Sequence, residues 1–513
     1  MMSARLAILV LLLAAGAAPL RAPLCAQVYP NSPVFRDYRP RQDGRDERGE
    51  GLRRQINLFM LERDAVRGDP LAQHELGVRY LTGKGVAADT AKSAEWLRLA
   101  ASQGVLSAMY NYALLRNNGW GVEWNPFDAY RLFLAAARAG MPEGQYVVGI
   151  FHTDDLVLRQ DWHRAYEWVS RADEAGYAPA ARAKEEILRR GHVRMDADST
   201  VKPRERVAAE NGEEGEEDWA PVLLDFSAGP ASEAISTRQL LGEFLASVPM
   251  TAGDSAAYLR LATGAATPST MMRLHRMARH GNPEAMTLLG RLLAEGSQLG
   301  QDRLQAASLF ATAVYLESAR AGQLLIAQVR DAALRERIAR EAYGGNPEAQ
   351  YLWATLHALE FDARLTPAQA LDMLKRAAAQ DHGKALVQLG LCYASGRWVE
   401  RDPVRAAMFW SHAADLHDEE ARVRLAAGVI LGRNEGMGLA EALQACEAAA
   451  AEGSVVAAVA LAASYEKGIG RSAAKGIAAR IYRECAIRGS RTAYGALRRM
   501  HEELRPDDPL FTR

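Results

Sequence analysis

The chain has 513 residues, and 62 Lys+Arg against 63 Asp+Glu give a formal net charge of −1. That balance excludes binding of nucleic acid through overall basic charge, and a hydrophobic fraction of 49% excludes global disorder. Roughly a fifth of the chain is alanine, which has no side-chain entropy to lose in a helix, so the composition predicts a large, closely packed helical protein.

The first residues read as a secretory signal. Arg5 supplies a basic start, Leu6 to Ala18 is an apolar run too short for a membrane span, and Leu24-Cys25-Ala26 precedes a cleavage point before Gln27. Residues 1–26 are therefore expected to be removed, leaving a periplasmic or secreted chain with no stable membrane span. Residues 27–51 hold Pro30, Pro33 and Pro40 among mixed charges and read as a flexible arm. Leu52 to Arg67 reads as a helix that caps the repeats beginning at Gly68.

From Gly68 onward the chain repeats with a period of 36. Gly68, Gly104, Gly140 and Gly176 share one register, and Ala100-Ala101 returns as Ala136-Ala137. Towards the other end Gly345, Asp381, His417, Gly453 and Gly489 mark the same kind of register, as do Ala349, Ala385, Ala421, Ala457 and Ala493. A further copy starts at Gly281, and the one near Glu317 falls about eight residues short. Within a unit, Ala72, Leu76 and Tyr80 form one apolar helical stripe. Gly77 beside Leu76 leaves room for a close neighbour, and Thr82-Gly83-Lys84-Gly85 breaks the helix. Asp89 is a natural cap for a second helix that carries Trp96 and Ala100 and ends at Gly104. Two such helices bury their stripes only by stacking on neighbouring units, which predicts an all-α solenoid of antiparallel helix pairs.

The pattern A-x-x-x-L-G-x-x-Y-x-x-G-x-G-V, followed by D-x-x-K-x-x-x-W and A-A-x-x-G, resembles the Sel1-like repeat, a relative of the tetratricopeptide repeat. Ala72 to Gly104 carries it almost throughout, and the copy from Ala385 carries it through Leu389, Gly390, Tyr393, Gly396, Asp402, Trp410 and Ala413-Ala414. The resemblance spans roughly 67–191 and 281–504. It implies a scaffold or adaptor that binds protein or peptide partners, and no nucleic acid or cofactor. Cysteine-rich relatives bridge the two helices of a repeat. Here Cys446 and Cys485 sit on second helices of adjacent repeats and are read as packed thiols, and Cys392 has no evident partner.

Where the period fails, boundaries follow. Residues 52–191 form an N-terminal array. Residues 192–230 hold ten acidic and four basic residues, a net of −6, and read as an acidic disordered linker. Residues 231–513 form a C-terminal array whose first repeats are degenerate. Setting the linker and the signal aside leaves the arrays mildly basic.

No catalytic, cofactor or metal site is expected. His74-Glu75 lacks the second histidine of a zinc-protease helix, His152 to Asp155 reads as a solvated turn, and no nucleophile motif or phosphate-binding loop stands in context. Trp96, Trp168 and Trp410 are read as one core register. Trp120 and Trp124 fall outside it, in a turn. On the first helices, Arg79, Asn111, Leu115 and Phe151 point away from the Ala/Leu/Tyr stripe, and Leu115 and Phe151 would make an exposed apolar patch. These four and the two turn tryptophans are the candidate partner-contact residues. Three functions are consistent with this reading: an exported interaction scaffold of the bacterial cell envelope, foremost; a solenoid component of a polysaccharide-export or secretion machine; and a cell-wall or β-lactam-active hydrolase, which lacks a recognisable nucleophile and base.

Overall fold

A computed structural model describes residues 50–189, 193–195, 201–202, 235–248, 250–263, 265–297 and 299–511. The expected signal segment, the arm through residue 49 and the acidic run Glu213–Asp218 lie outside them. The first array runs through α1 (Glu50–Val66), α2 (Pro70–Thr82), α3 (Thr90–Ser102), α4 (Leu106–Asn118), α5 (Pro126–Arg138), α6 (Pro142–Phe151), α7 (Trp162–Glu174) and α8 (Ala178–Arg189). A two-residue antiparallel ladder then pairs Arg194 with Lys202 and Met195 with Val201, so the span read as a linker contains some structure. The second array begins with α9 (Thr237–Ser247), α10 (Ala252–Leu259) and α11 (Pro268–Arg279). Its hairpins are α12 (Pro283–Glu295) with α13 (Arg303–Tyr315), α14 (Ala321–Val329) with α15 (Ala332–Tyr343), and α16 (Pro347–Ala358) with α17 (Pro367–Ala378). They continue through α18 (Gly383–Ser395) with α19 (Pro403–Asp415), α20 (Glu419–Ile430) with α21 (Leu439–Ala451), and α22 (Val455–Lys467) with α23 (Lys475–Ile487), before a single α24 (Arg491–Leu504). Consecutive helices pack together and hairpin stacks on hairpin, as the periodicity predicts.

Side-chain caps set the helix starts. Asp89, Asn125, Asp161, Asp302 and Asp402 each accept backbone N–H groups two or three residues ahead, opening a second helix. Asn346, His382, Asp418, Ser454 and Ser490, one period apart, do the same for first helices. Each such cap contributes about 1 kcal/mol. The register that opens with Gly68 is left-handed throughout, and Glu317, Asp381 and His417 hold it with φ of 62°, 57° and 62°, a conformation that disfavours a Cβ. The short repeat has a local cause. Only Arg330 and Asp331 join α14 to α15, with Asp331 as the cap, where the loops inside the other hairpins are far longer.

A second glycine register lets the two helices of a hairpin touch. A Cβ on Gly77 would lie 2.7 Å from Leu97, one on Gly149 2.7 Å from Val169, and one on Gly290 2.8 Å from Phe310. Gly390 receives Trp410 in the same way, and the Trp410 indole N–H donates to the Val387 carbonyl at 3.1 Å. Trp410 therefore belongs with Leu97 and Val169, one position away from Trp96 and Trp168. The expected single tryptophan register is corrected accordingly. Trp96 and Trp168 lie half-buried against the core, Trp168 with Arg171 stacked 4.7 Å over its ring.

Two long-range contacts close the molecule. In the second array, the Arg488 guanidinium binds both oxygens of Glu284 (2.9 and 2.6 Å) and the Gly453 carbonyl (2.6 Å). Glu317 accepts from Ser490 and from the Thr492 hydroxyl and amide, and Asn282 donates to the Glu452 carbonyl at 3.1 Å. Between the arrays, the Gly476 backbone sits on Asn118–Gly119, where a Cβ would collide. Trp124 and Leu156 enter a cluster with Tyr482, Cys485, Leu497 and Met500.

Candidate functional site

The surface expected on the first helices is largely interior. Asn111 and Leu115 are 0% exposed, Phe151 1% and Trp124 3%, so none of them is a surface contact in this structure. Leu115 packs with Val78, Leu97 and Ala101, and Phe151 lies edge-on to Tyr130 at 5.3 Å. Each first helix is covered both by its own partner and by the neighbouring repeat, so its apolar arc is wider than a single stripe. The Asn111 amide meets His74 Nε2 at 3.0 Å, and burial lowers the His74 pKa to about 4. Trp124 donates its indole N–H to the Asn117 carbonyl at 3.0 Å and lies edge-on to His501 at 5.1 Å. Trp124 does make contacts beyond its repeat, but with α24 of the same chain. Arg79 and Trp120 stay partly exposed, Arg79 paired with Glu75 at 2.9 Å and Trp120 against the core of the first repeats.

The loop from His152 to Asp161 is a turn built by its acids. Asp154 accepts the Leu156 N–H at 3.0 Å and Asp155 the Gln160 N–H at 2.8 Å. Its interior is apolar: Leu156, Val157 and Leu158 are buried where most other repeats carry glycines. Among the described residues no group of three or more His, Cys, Asp or Glu is placed to hold a metal ion. Cys392, Cys446 and Cys485 are buried and unbridged, with burial pushing Cys446 and Cys485 up to about 12.

Polar groups gather instead on the first helices of the second array. Glu348 accepts from His382 Nε2 and Lys384 Nζ, each at 2.7 Å, and Lys384 also reaches Ser308 at 3.0 Å. Burial alone would raise the Glu348 carboxyl, but the His382 bond and the Lys384 charge hold it well below the usual carboxylate range. The Tyr351 hydroxyl meets Thr312 at 2.9 Å, and Arg424 grips Glu420 with bonds of 2.9 and 2.7 Å. Asp418, capping α20, is pushed up to about 6 by burial and by repulsion from Glu420. Between these side chains lies a cavity of about 10 Å³, room for one water and no organic ligand. A larger cleft of about 490 Å³ opens at the junction of the arrays, between Val122, Trp124, Lys475 and Leu504.

Sequence reasoning missed the segment after Leu504. Phe511 is buried between Phe127 and Tyr130, and Arg505 donates to the carbonyls of Leu156 and Val157 at 2.8 and 2.9 Å. The segment has no period to flag it. The signal available was the loss of glycine in the loop it contacts.

Known proteins place this architecture. The family model described as Sel1 repeat matches residues 70–105, 106–141, 283–317, 347–382 and 383–418. Hairpins of the same layout fill 142–174, 419–451 and 455–487. Among solved structures, the chain is similar to a protective antigen with an SLR fold from uropathogenic Escherichia coli strains. Identity is 20% over 86% of this chain and 81% of that one, with a TM-score of 0.30. It is also similar to a Sel1 repeat protein from Oxalobacter formigenes at 30% identity, covering 25% of this chain and 98% of that one, with a TM-score of 0.24. No helix among the described residues is long and apolar enough to cross a membrane. With five matched units spaced as its own periodicity requires, this chain belongs to the Sel1 repeat family.

Proposed function

We propose that this protein is an exported scaffold of the bacterial cell envelope that binds partner proteins or peptides and catalyses no reaction. The observation that carries this reading is the matched set of Sel1 repeats, a family of protein-interaction solenoids. The signal-like start, with Arg5 followed by the apolar run to Ala18, supports export to the periplasm or beyond. Crosslinking followed by affinity capture from the native envelope tests the reading. The expected result is specific protein partners that survive washing and are lost when the repeats are unfolded. Recovery of none, or turnover of cell-wall or β-lactam substrates by the purified chain, would sink it.

A further inference from the structure

The first array holds a peptide of its own. After Leu504 the chain leaves the helix, and Arg505–Phe511 crosses α5 and the loop after α6. Phe511 is fully buried, edge-on to Phe127 at 5.1 Å and to Tyr130 at 5.9 Å, with the Arg131 guanidinium 5.1 Å over its ring. Asp508 accepts from Arg131 Nη2 at 2.6 Å, and its other oxygen accepts the Leu510 N–H at 2.9 Å. The Phe511 N–H donates to the Asp508 carbonyl at 2.9 Å, so a single turn fixes the spacing between acid and aromatic. Pro506 and Pro509 stiffen the segment, which lowers the entropy lost on docking. None of the Phe511 and Asp508 contacts involves α24, so the groups that make them are a short acidic and aromatic pattern on a segment outside the repeats. The segment is held by the buried Phe511 ring, by the Arg505 bonds to the Leu156 and Val157 carbonyls, and by an ion pair between side chains that are 43% and 33% exposed, a type that contributes little.

We infer that the groove formed by Phe127, Tyr130, Arg131 and the Leu156–Val157 backbone is a recognition site for partner peptides of the pattern Asp-x-x-Phe, and that Arg505–Phe511 occupies it as a competing internal ligand. This rests on the scaffold reading and gives it a partner chemistry: an acidic residue with an aromatic three positions later. The carboxylate meets Arg131, the ring enters between Phe127 and Tyr130, and the Leu156 and Val157 carbonyls are left to take a donor from the incoming chain, as they now take Arg505. A partner must displace the internal segment, so its affinity for the intact protein is lower than for an emptied groove by the fraction of time the segment is away.

Fluorescence anisotropy with a labelled synthetic peptide of residues 505–513 tests this. The peptide is expected to bind saturably to a chain ending at Leu504 and to full-length F511A. It should bind the unaltered protein at least ten-fold more weakly, and a peptide with Ala in place of the Phe should not bind. Helical circular dichroism first establishes that each variant is folded. If either variant fails to fold, the unaltered protein carries the test: excess peptide should speed hydrogen exchange of the amides of residues 505–511. Saturable binding absent from folded variants, binding equal in all three proteins, or unchanged exchange overturns the proposal. Capture experiments separate it from the scaffold reading. Partners retained equally by R131A and the unaltered chain leave the scaffold standing and remove this groove, whereas no partners at all remove the scaffold whatever the peptide does.

Discussion

Where α12 meets the end of α23, the contact is ionic: Arg488 spans Glu284 and the Gly453 carbonyl, while Glu317 accepts from Ser490 and Thr492. Where the loops after α4 and α6 meet α23 and α24, it is apolar: Trp124, Leu156, Tyr482, Leu497 and Met500 form one cluster around His501. Both contacts join units far apart in the chain, and neither belongs to the repeat pattern. The first is held by directional bonds and fixes angle and register. The second is held by burial and tolerates sliding until a backbone contact, Gly476 on Gly119, stops it. A molecule built from near-identical units thus holds its overall shape through two dissimilar fastenings.

Removing the apolar anchor is expected to show the difference most strongly. Trp124→Ala should cost about 3–5 kcal/mol at the junction and split calorimetric unfolding into two transitions, one per array. One transition at an unchanged midpoint would contradict this. Arg488→Met leaves Glu284 without its partner and should cost about 3 kcal/mol. That loss should fall on the second array alone, read as faster hydrogen exchange in α12 and α23 with the α4–α7 region unaffected. Acid should act on the apolar junction. Burial, chiefly, lowers the His501 pKa to about 3, against an ordinary value near 6.5. The unfolded chain therefore takes up a proton before the folded one does, and stability falls as pH drops from 6.5 towards 3. By pH 5 this group alone should remove about 2 kcal/mol of the stability present at neutral pH. Thermal midpoints of the wild-type chain and of His501→Phe, compared between pH 7 and 5, check the sign: the substitution should flatten the slope, and a parallel slope would refute the assignment. The smallest effect should be a gain. His417 is exposed and sits at φ 62°, so His417→Gly should stabilise by about 1 kcal/mol or less, visible as a higher urea midpoint with the same m-value.

The repeats were legible because their physics is local. Caps at Asp89, Asn125 and Asp161, the left-handed position at Gly68 and its successors, and the bare glycine at Gly77 each act within a few residues or one hairpin, so the sequence displays them at fixed spacing. Orientation around a helix was less legible. Leu115 and Phe151 read as surface on a helix with a single apolar stripe, whereas stacking covers both flanks of a first helix. Trp410 reads into the Trp96 and Trp168 register by residue type, whereas its distance from Ala413-Ala414 sets it one position further on. The fastenings were visible only as irregularities. Trp124 and the glycine-free loop at His152–Asp161 both departed from the pattern, and both turn out to meet the far end of the chain. Nothing in a periodic signal names a partner 204 or 377 residues away, as Glu284 is to Arg488 and Arg131 to Asp508.

An open stack of repeats can grow or shrink by whole units without penalty, but the Glu284–Arg488 clasp forbids that here. The residues it joins are separated by a set number of hairpins, one of them shortened, and inserting or deleting a 36-residue unit would carry Arg488 away from Glu284 by a full helix pair. Duplication, the ordinary route by which such arrays lengthen, is thereby blocked between these two residues. The geometry of the clasp therefore sets the number of units in that stretch, and length variation among relatives with the same clasp should fall outside 284–488.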